Sequence, residues 1–279
     1  MQVSFPGIGI NITVDRVAFS IMGMPVYWYG VIIAIGLVVG IITASVAARK
    51  LGEKSDITLD LVLVCTPVSV VFARLYYVIF KWDMYKDNLA DIFNIRSGGI
   101  AIYGAVIGAV LAAFVYSKIK KKSPLFVFDI GAVGLITGQM IGRWGNFVNQ
   151  EAFGSNTSLP WGMTSKTVSD YLETLKASGV SVNPNMPVHP TFLYESLWSL
   201  GILILLFIIV YKHYQYNGQV FFAYASLYGL GRFWIEGLRT DSLMIGMFRV
   251  SQLIALVSFL MFGFLYLHFC RKNRKMLKE

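Results

Sequence analysis

Three stretches without a single Asp, Glu, Lys or Arg, residues 20–48, 97–117 and 250–270, constrain this chain more than anything else in it. Each runs to about 20 residues or more, enough to cross roughly 30 Å of hydrocarbon as a helix. A helix satisfies its own backbone polar groups, so such runs tolerate lipid where loops and open sheet edges do not. Four further apolar runs carry isolated charges: 57–79 with Asp60 and Arg74, 124–143 with Asp129, 190–211 with Glu195, and 219–237 with Arg232 and Glu236. Charged residues make up 14% of the 279, against about a quarter in a soluble domain. The runs are continuously apolar and lack the alternation of a membrane barrel. In a soluble domain they would lack amphipathic partners to cover them. The expectation is an all-α polytopic membrane protein with about seven transmembrane helices.

Charge asymmetry orients the bundle. With the C-terminus cytoplasmic, the inner segments 49–56, 118–122, 211–218 and 271–279 hold 13 Lys/Arg in some 30 residues, while much longer outer segments hold 8. The positive-inside rule then places the N-terminus outside and the C-terminus in the cytoplasm. The formal charge of +9 is read as orientation signals that also touch anionic headgroups, and nucleic-acid binding is not expected. The polar stretch 151–188 keeps apolar residues at helical spacing in "TVSDYLETLKASG" and reads as a small external head inserted in a single integral membrane domain, 1–279. The N-terminus lacks the basic and small-residue flanks of a removable signal peptide. Cys65 and Cys270 have no metal or disulfide spacing. No internal repeat is evident, which argues against an inverted-repeat transporter.

Charged and amide side chains at membrane depth are costly and point to a functional site. In "YGLGRFWIEGLR", Tyr228, Arg232, Glu236 and Arg239 fall within about 80° of one another on a helix, one polar stripe. Two cations facing one carboxylate at the outer boundary call for an anion, and the arginine fork suits phosphate. In "GRWGNFVNQEAFG", Arg143, Asn146 and Gln150 also share a helical face, with Gly142, Gly145 and Gly154 permitting close approach or a break. Amides donate and accept, so they suit a polar group beside an anion. In "HPTFLYE", Pro190 opens a helix with His189 at the membrane surface and Glu195 about two turns in. In "SGGIAIYGAVIGAV", Gly104 and Gly108 form a small-residue packing face beside Tyr103.

At these residues the chain resembles the bacterial prolipoprotein diacylglyceryl transferases. "GRWGNFVNQEAFG" is close to the family signature, and "HPTFLYES" and "YGLGRFWIEGLRTD" follow in the family order, preceded by "YWYG" at Tyr29 and "GGIAIYGAVIG". The resemblance implies a multi-pass enzyme of the bacterial cytoplasmic membrane. It implies transfer of the diacylglyceryl group of phosphatidylglycerol to the lipobox cysteine thiol of a prolipoprotein, releasing glycerol phosphate, with no cofactor or metal. Displacement at the glycerol carbon needs a thiolate, a positioned lipid and stabilised charge on the departing phosphate. The expected phosphate clamps are Arg143 and Arg232, with Asn146 and Glu151 orienting the headgroup and Glu236 and Arg239 holding the cationic stripe. Tyr29, Tyr228, His189, Glu195, Arg74 and Asp129 match family positions, and Gly154 closes the signature. Some members carry His where this chain has Tyr103. A phenol with a pKa near 10 is a poor base for a thiol near 8.5, so Tyr103 is expected to orient by hydrogen bonding. A neighbouring carboxylate, His189 or water is left to take the proton. The rivals are an anion transporter using the same arginines and a noncatalytic scaffold.

Overall fold

The computed structural model describes residues 1–54, 56–94, 98–240, 244–245 and 248–276. Its long helices are α1 (Trp28–Lys50), α2 (Asp56–Phe80), α3 (Ile102–Ile119), α4 (Pro124–Asn149), α6 (Thr191–Ile208), α7 (Gln219–Leu238) and α8 (Val250–Met276), with a shorter α5 at Lys166–Ala177. Among the described residues six are long and apolar enough to cross a membrane: α1 to α4, α6 with its continuation to His213, and α8. The protein is therefore an all-α polytopic membrane protein. Its outer faces fit a lipid solvent, with Leu63, Ile79 and Phe264 each about two-thirds or more exposed, as apolar side chains can be only when no water must cover them. α7 is 20 residues long, and Gln219, Tyr224, Tyr228, Arg232 and Glu236 lower its apolarity. It packs against α4, α6 and α8.

The first span begins later than its charge-free stretch. Residues 20–27 are not helical but complete a hairpin of β3 (Val17–Ile21) and β4 (Met24–Tyr27). Met22 and Gly23 both take positive φ, +50° and +79°, the two-residue turn that matches strand twist, and α1 starts only at Trp28. Absence of charge specified an apolar segment without specifying its period. A second sheet joins β1 (Gln2–Phe5) to β2 (Ile10–Thr13) and to β5 (Thr164–Ser165). Val3, Phe5 and Val14 bury against Met163, Val168, Leu172 and Val188. The lobe around α5 is thus built from two separate pieces of chain, the N-terminal strands and the 151–188 segment.

Small residues let the helices approach. A Cβ on Gly108 would lie 2.7 Å from the Phe72 side chain, and one on Gly104 would strike the Phe72 carbonyl and, at 2.6 Å, Tyr76, so α3 packs on α2 through the expected face. α4 and α7 run in the same direction, each ending beside the lobe. At their opposite ends Asp129, fully buried, accepts from the Gly218 and Phe221 N–H groups (2.6 and 2.8 Å) and the Tyr214 hydroxyl (2.9 Å). A carboxylate from one helix thus caps the orphan donors at the start of the other and fixes their relative height.

Candidate active site

Both arginine-bearing helices end at the lobe, and between them α6 supplies Glu195. Its carboxylate, 7% exposed, is the hub of the site. Oε2 pairs with Nη2 of Arg143 on α4. Oε1 lies 3.2 Å from Nη1 of Arg232 on α7 and 3.9 Å from Nη1 of Arg239. Arg232 also reaches Glu236 Oε2 through Nη2 at 2.6 Å, an i to i+4 pair within α7. Arg249, on β7 (Phe248–Arg249), donates to the Glu236 carbonyl at 2.5 Å. Among the described residues three guanidinium groups thus converge on two carboxylates, with a fourth guanidinium alongside. Partly buried arginines held this way keep their forks fixed while retaining donors that the carboxylates do not use.

Arg143 continues outward along α4. Its Nη1 donates to Asn146 Oδ1 (3.4 Å), and the Asn146 amide donates to Glu151 Oε1 (2.9 Å). Gln150 does not share that face. α4 stops at Asn149, and Gln150 takes the left-handed conformation at φ +54° as the C-cap. Its side chain turns inward, 2% exposed, to donate to the Phe147 carbonyl. Helical angles fail there because the helix has already ended. Arg239 likewise lies beyond α7 in extended backbone, so a helical stripe is not what carries it to Glu195. Instead the 154–156 segment runs between 188–189 and 238–239: Gly154 N–H donates to the His189 carbonyl (2.9 Å) and Ser155 N–H to the Leu238 carbonyl (2.7 Å), with Gly154 bridged to Arg239. A Cβ on Gly154 would lie 2.7 Å from His189 Cβ and 3.0 Å from the Leu238 carbonyl, so glycine is the residue that lets the three strands meet.

Two features flank the cluster. On the α1 side an open groove of about 590 Å³ is lined by Arg16, Tyr27, Tyr29, Gly30, Asn149 and Glu151. Arg16 donates to the Asn149 carbonyl at 2.9 Å, and the Tyr29 ring lies over Gly145, where a Cβ would be 2.8 Å away. On the lobe side His189 Nδ1 lies 3.2 Å from the Tyr194 hydroxyl, which accepts from Trp161 Nε1 at 2.8 Å. Burial holds the His189 imidazole below its ordinary pKa, which favours the neutral ring.

Comparison with known proteins bears on these residues directly. The sequence model of the prolipoprotein diacylglyceryl transferases matches residues 16–268, a span that includes every member of the cluster. The chain belongs to that family. Among curated relatives it is 42% identical over 265 residues to the phosphatidylglycerol–prolipoprotein diacylglyceryl transferase of Clostridioides difficile, covering 95% of this chain and 99% of the relative. It is 44% identical to that of Finegoldia magna over 87% of this chain and 90% of the relative. To that of Bacillus mycoides it is 42% identical over 87% of each.

Within this family member the cluster brings together Arg143, Arg232, Glu236, Arg239 and Glu195, with Asn146 and Glu151 linked to it by hydrogen bonds. Tyr103 stands apart: 40% exposed at the start of α3, its ring is 6.5 Å from that of Tyr76 on α2, and no contact with the arginines is found among the described residues. Arg74 is also occupied elsewhere. All five of its N–H donors go to carbonyls, those of Asp91, Ile92, Asn94, Gly98 and Gly99, at 2.6–3.1 Å, and its guanidinium lies over the Tyr85 ring. Sequence reasoning did not single out Arg249 or Arg16. The signal available for Arg249 was its place at the mouth of a charge-free span; Arg16 carried none.

Proposed function

We propose that this protein transfers the diacylglyceryl group of phosphatidylglycerol to the lipobox cysteine of a prolipoprotein. The observation that supports it best is the convergence of three arginines on Glu195, together with the same named activity in relatives matching nearly the whole chain. The cysteine sulfur attacks the glycerol carbon that bears the phosphate. A C–S bond forms, the C–O bond breaks, and glycerol phosphate departs with the bonding pair. The thiol proton passes to the neutral imidazole of His189 or to water and leaves as solvent proton or on the product.

The residues divide this work. Arg143 and Arg232 clamp the phosphate, held in place by Glu195, and the Arg fork matches the two oxygens that gain charge as the bond breaks. Asn146 and Glu151 orient the glycerol headgroup, with Tyr29 along the groove. Glu236 and Arg239 keep the forks aligned, and Gly154 lets Arg239 reach them. Tyr228 faces the lipid one turn deeper. Arg74 works through the carbonyls it ties down, of which Gly98 and Gly99 lie just before Tyr103 and α3. In this reading α7 is a seventh span, the N-terminus and lobe lie outside, and the Lys/Arg-rich ends face the cytoplasm, in accord with the positive-inside rule. The membrane is then the bacterial cytoplasmic membrane, and the lobe contacts the mature part of the lipoprotein.

Incubating the purified protein with phosphatidylglycerol and a lipobox peptide tests the reading by mass spectrometry. The peptide gains one diacylglyceryl group for each glycerol phosphate released. Folded protein that yields no adduct, or that moves the lipid or an anion across proteoliposomes instead, would overturn it.

A further inference from the structure

Below the arginines the seam between α4 and α7 stays polar. Gln139 and Tyr228 precede Arg143 and Arg232 by four residues, on helices that run in the same direction, so each lies about 6 Å deeper and on nearly the same face. The two are joined by Tyr224. The Gln139 amide donates to the Tyr224 hydroxyl at 3.0 Å, and that hydroxyl reaches back to Gln139 Oε1 at 3.3 Å. The Tyr224 ring stacks on Tyr228 with centroids 5.7 Å apart.

Gln139 and Tyr224 close on each other across the two helices. Here a surplus remains. An amide has two N–H donors, and Gln139 uses one. The Tyr228 hydroxyl, half-buried, has no hydrogen-bond partner among the described residues. A layer of cations is therefore followed, about 6 Å into the bilayer, by a layer of neutral hydrogen-bond donors with capacity to spare. A diacyl phospholipid has the complementary order: an anionic phosphate, then within a few bonds two neutral ester carbonyls that only accept.

We infer that Gln139 and Tyr228 form an ester-carbonyl site that recognises the diacylglycerol portion of the lipid, with Tyr224 as the positioning residue that holds the Gln139 amide. The inference rests on the proposed transfer from phosphatidylglycerol. It makes the protein selective for ester-linked over ether-linked chains, because an ether oxygen is a weaker acceptor set off the carbonyl position, and the donors are then left unpaired in a low-dielectric site.

The test compares diester phosphatidylglycerol with its 1,2-di-O-alkyl diether analogue of equal chain length, in mixed micelles with the same lipobox peptide. The native protein is expected to favour the diester by about three- to thirtyfold in kcat/KM, the range of one to two net hydrogen bonds. Q139L/Y224F removes both partners of the buried pair and so leaves no orphan hydroxyl; it should lower that ratio several-fold. Y228F, which deletes only an unpartnered hydroxyl, should do the same and covers the case in which the double variant does not fold. Equal use of both lipids by the native protein, or an unchanged ratio in both variants, overturns the inference while leaving the transfer reaction standing. No adduct from the diester itself overturns the transfer reading, and the ester site falls with it.

Discussion

Glu195→Gln separates two things that the cluster does at once. The substitution keeps the shape and one acceptor but removes the charge that Arg143, Arg232 and Arg239 share. The arginine side chains are only 13–22% exposed and the carboxylate 8%. Unpairing one member of a buried ion pair costs about 3–5 kcal/mol. Partial exposure of the arginines and the amide oxygen that remains reduce this to about 2–3 kcal/mol. Removing one negative charge from among the arginines strengthens attraction for a ground-state phosphate, while Arg143 loses the partner that aims its fork. The expected outcome is lower thermal stability in detergent, kcat reduced by about 100-fold, and KM for phosphatidylglycerol unchanged or lower. Scanning fluorimetry and peptide-adduct kinetics on the same preparation read all three. A raised KM at native kcat, or native behaviour throughout, would refute the hub role of Glu195.

Other perturbations address the scaffold. Arg74→Lys leaves three donors for the five carbonyls of Asp91, Ile92, Asn94, Gly98 and Gly99 and should destabilise their attachment to α2 by about 2–4 kcal/mol, seen as faster proteolysis beside these residues with the lobe unaffected. Gly154→Ala places a methyl against His189 and the Leu238 carbonyl; it should displace Arg239 and cut kcat/KM by tenfold or more, whereas an unchanged rate would show the strands can give way. Asp129→Asn weakens the cap on α7 and should lower the melting temperature while changing the diester-to-diether ratio little. For His189, burial depresses the folded pKa below the unfolded value near 6.5, so neutral imidazole favours the fold. That contribution is complete above about pH 6.5 and is lost as pH falls through the folded pKa. The native protein should lose stability as pH falls below about 6.5, and His189→Gln should flatten that part of the curve.

The helical frame was legible in the sequence because lipid imposes one solution on long charge-free runs, and six helices obey it. What failed was the assumption that every apolar residue in such a run is helical. Residues 20–27 are uncharged yet complete a hairpin, because the Met22-Gly23 turn sets the local period. Arg143, Arg232 and Glu236 were legible as candidates from the cost of charge at depth, and the structure brings them into one ion-pair cluster. The position of Arg239 was reached for the wrong reason: a helical stripe was extrapolated past the end of α7, and a strand crossing with Gly154 delivers the residue instead. Glu195 ranked as a minor member because it is a single charge on its own helix. Its central place arises only when α4, α6 and α7 converge, a property of tertiary packing that no one segment carries. The Gln139–Tyr224 pair was missed for the same reason, since each residue alone reads as ordinary membrane polarity.

Arg143→Lys tests the central claim most directly, because it conserves the charge and removes the fork. Lysine can pair with Glu195 but cannot also hold two phosphate oxygens in one plane. The expected result in the adduct assay is a folded protein of near-native melting temperature whose kcat/KM falls at least about 100-fold, with kcat bearing most of the loss. A folded Arg143→Lys protein that transfers diacylglyceryl within a few-fold of the native rate would contradict it.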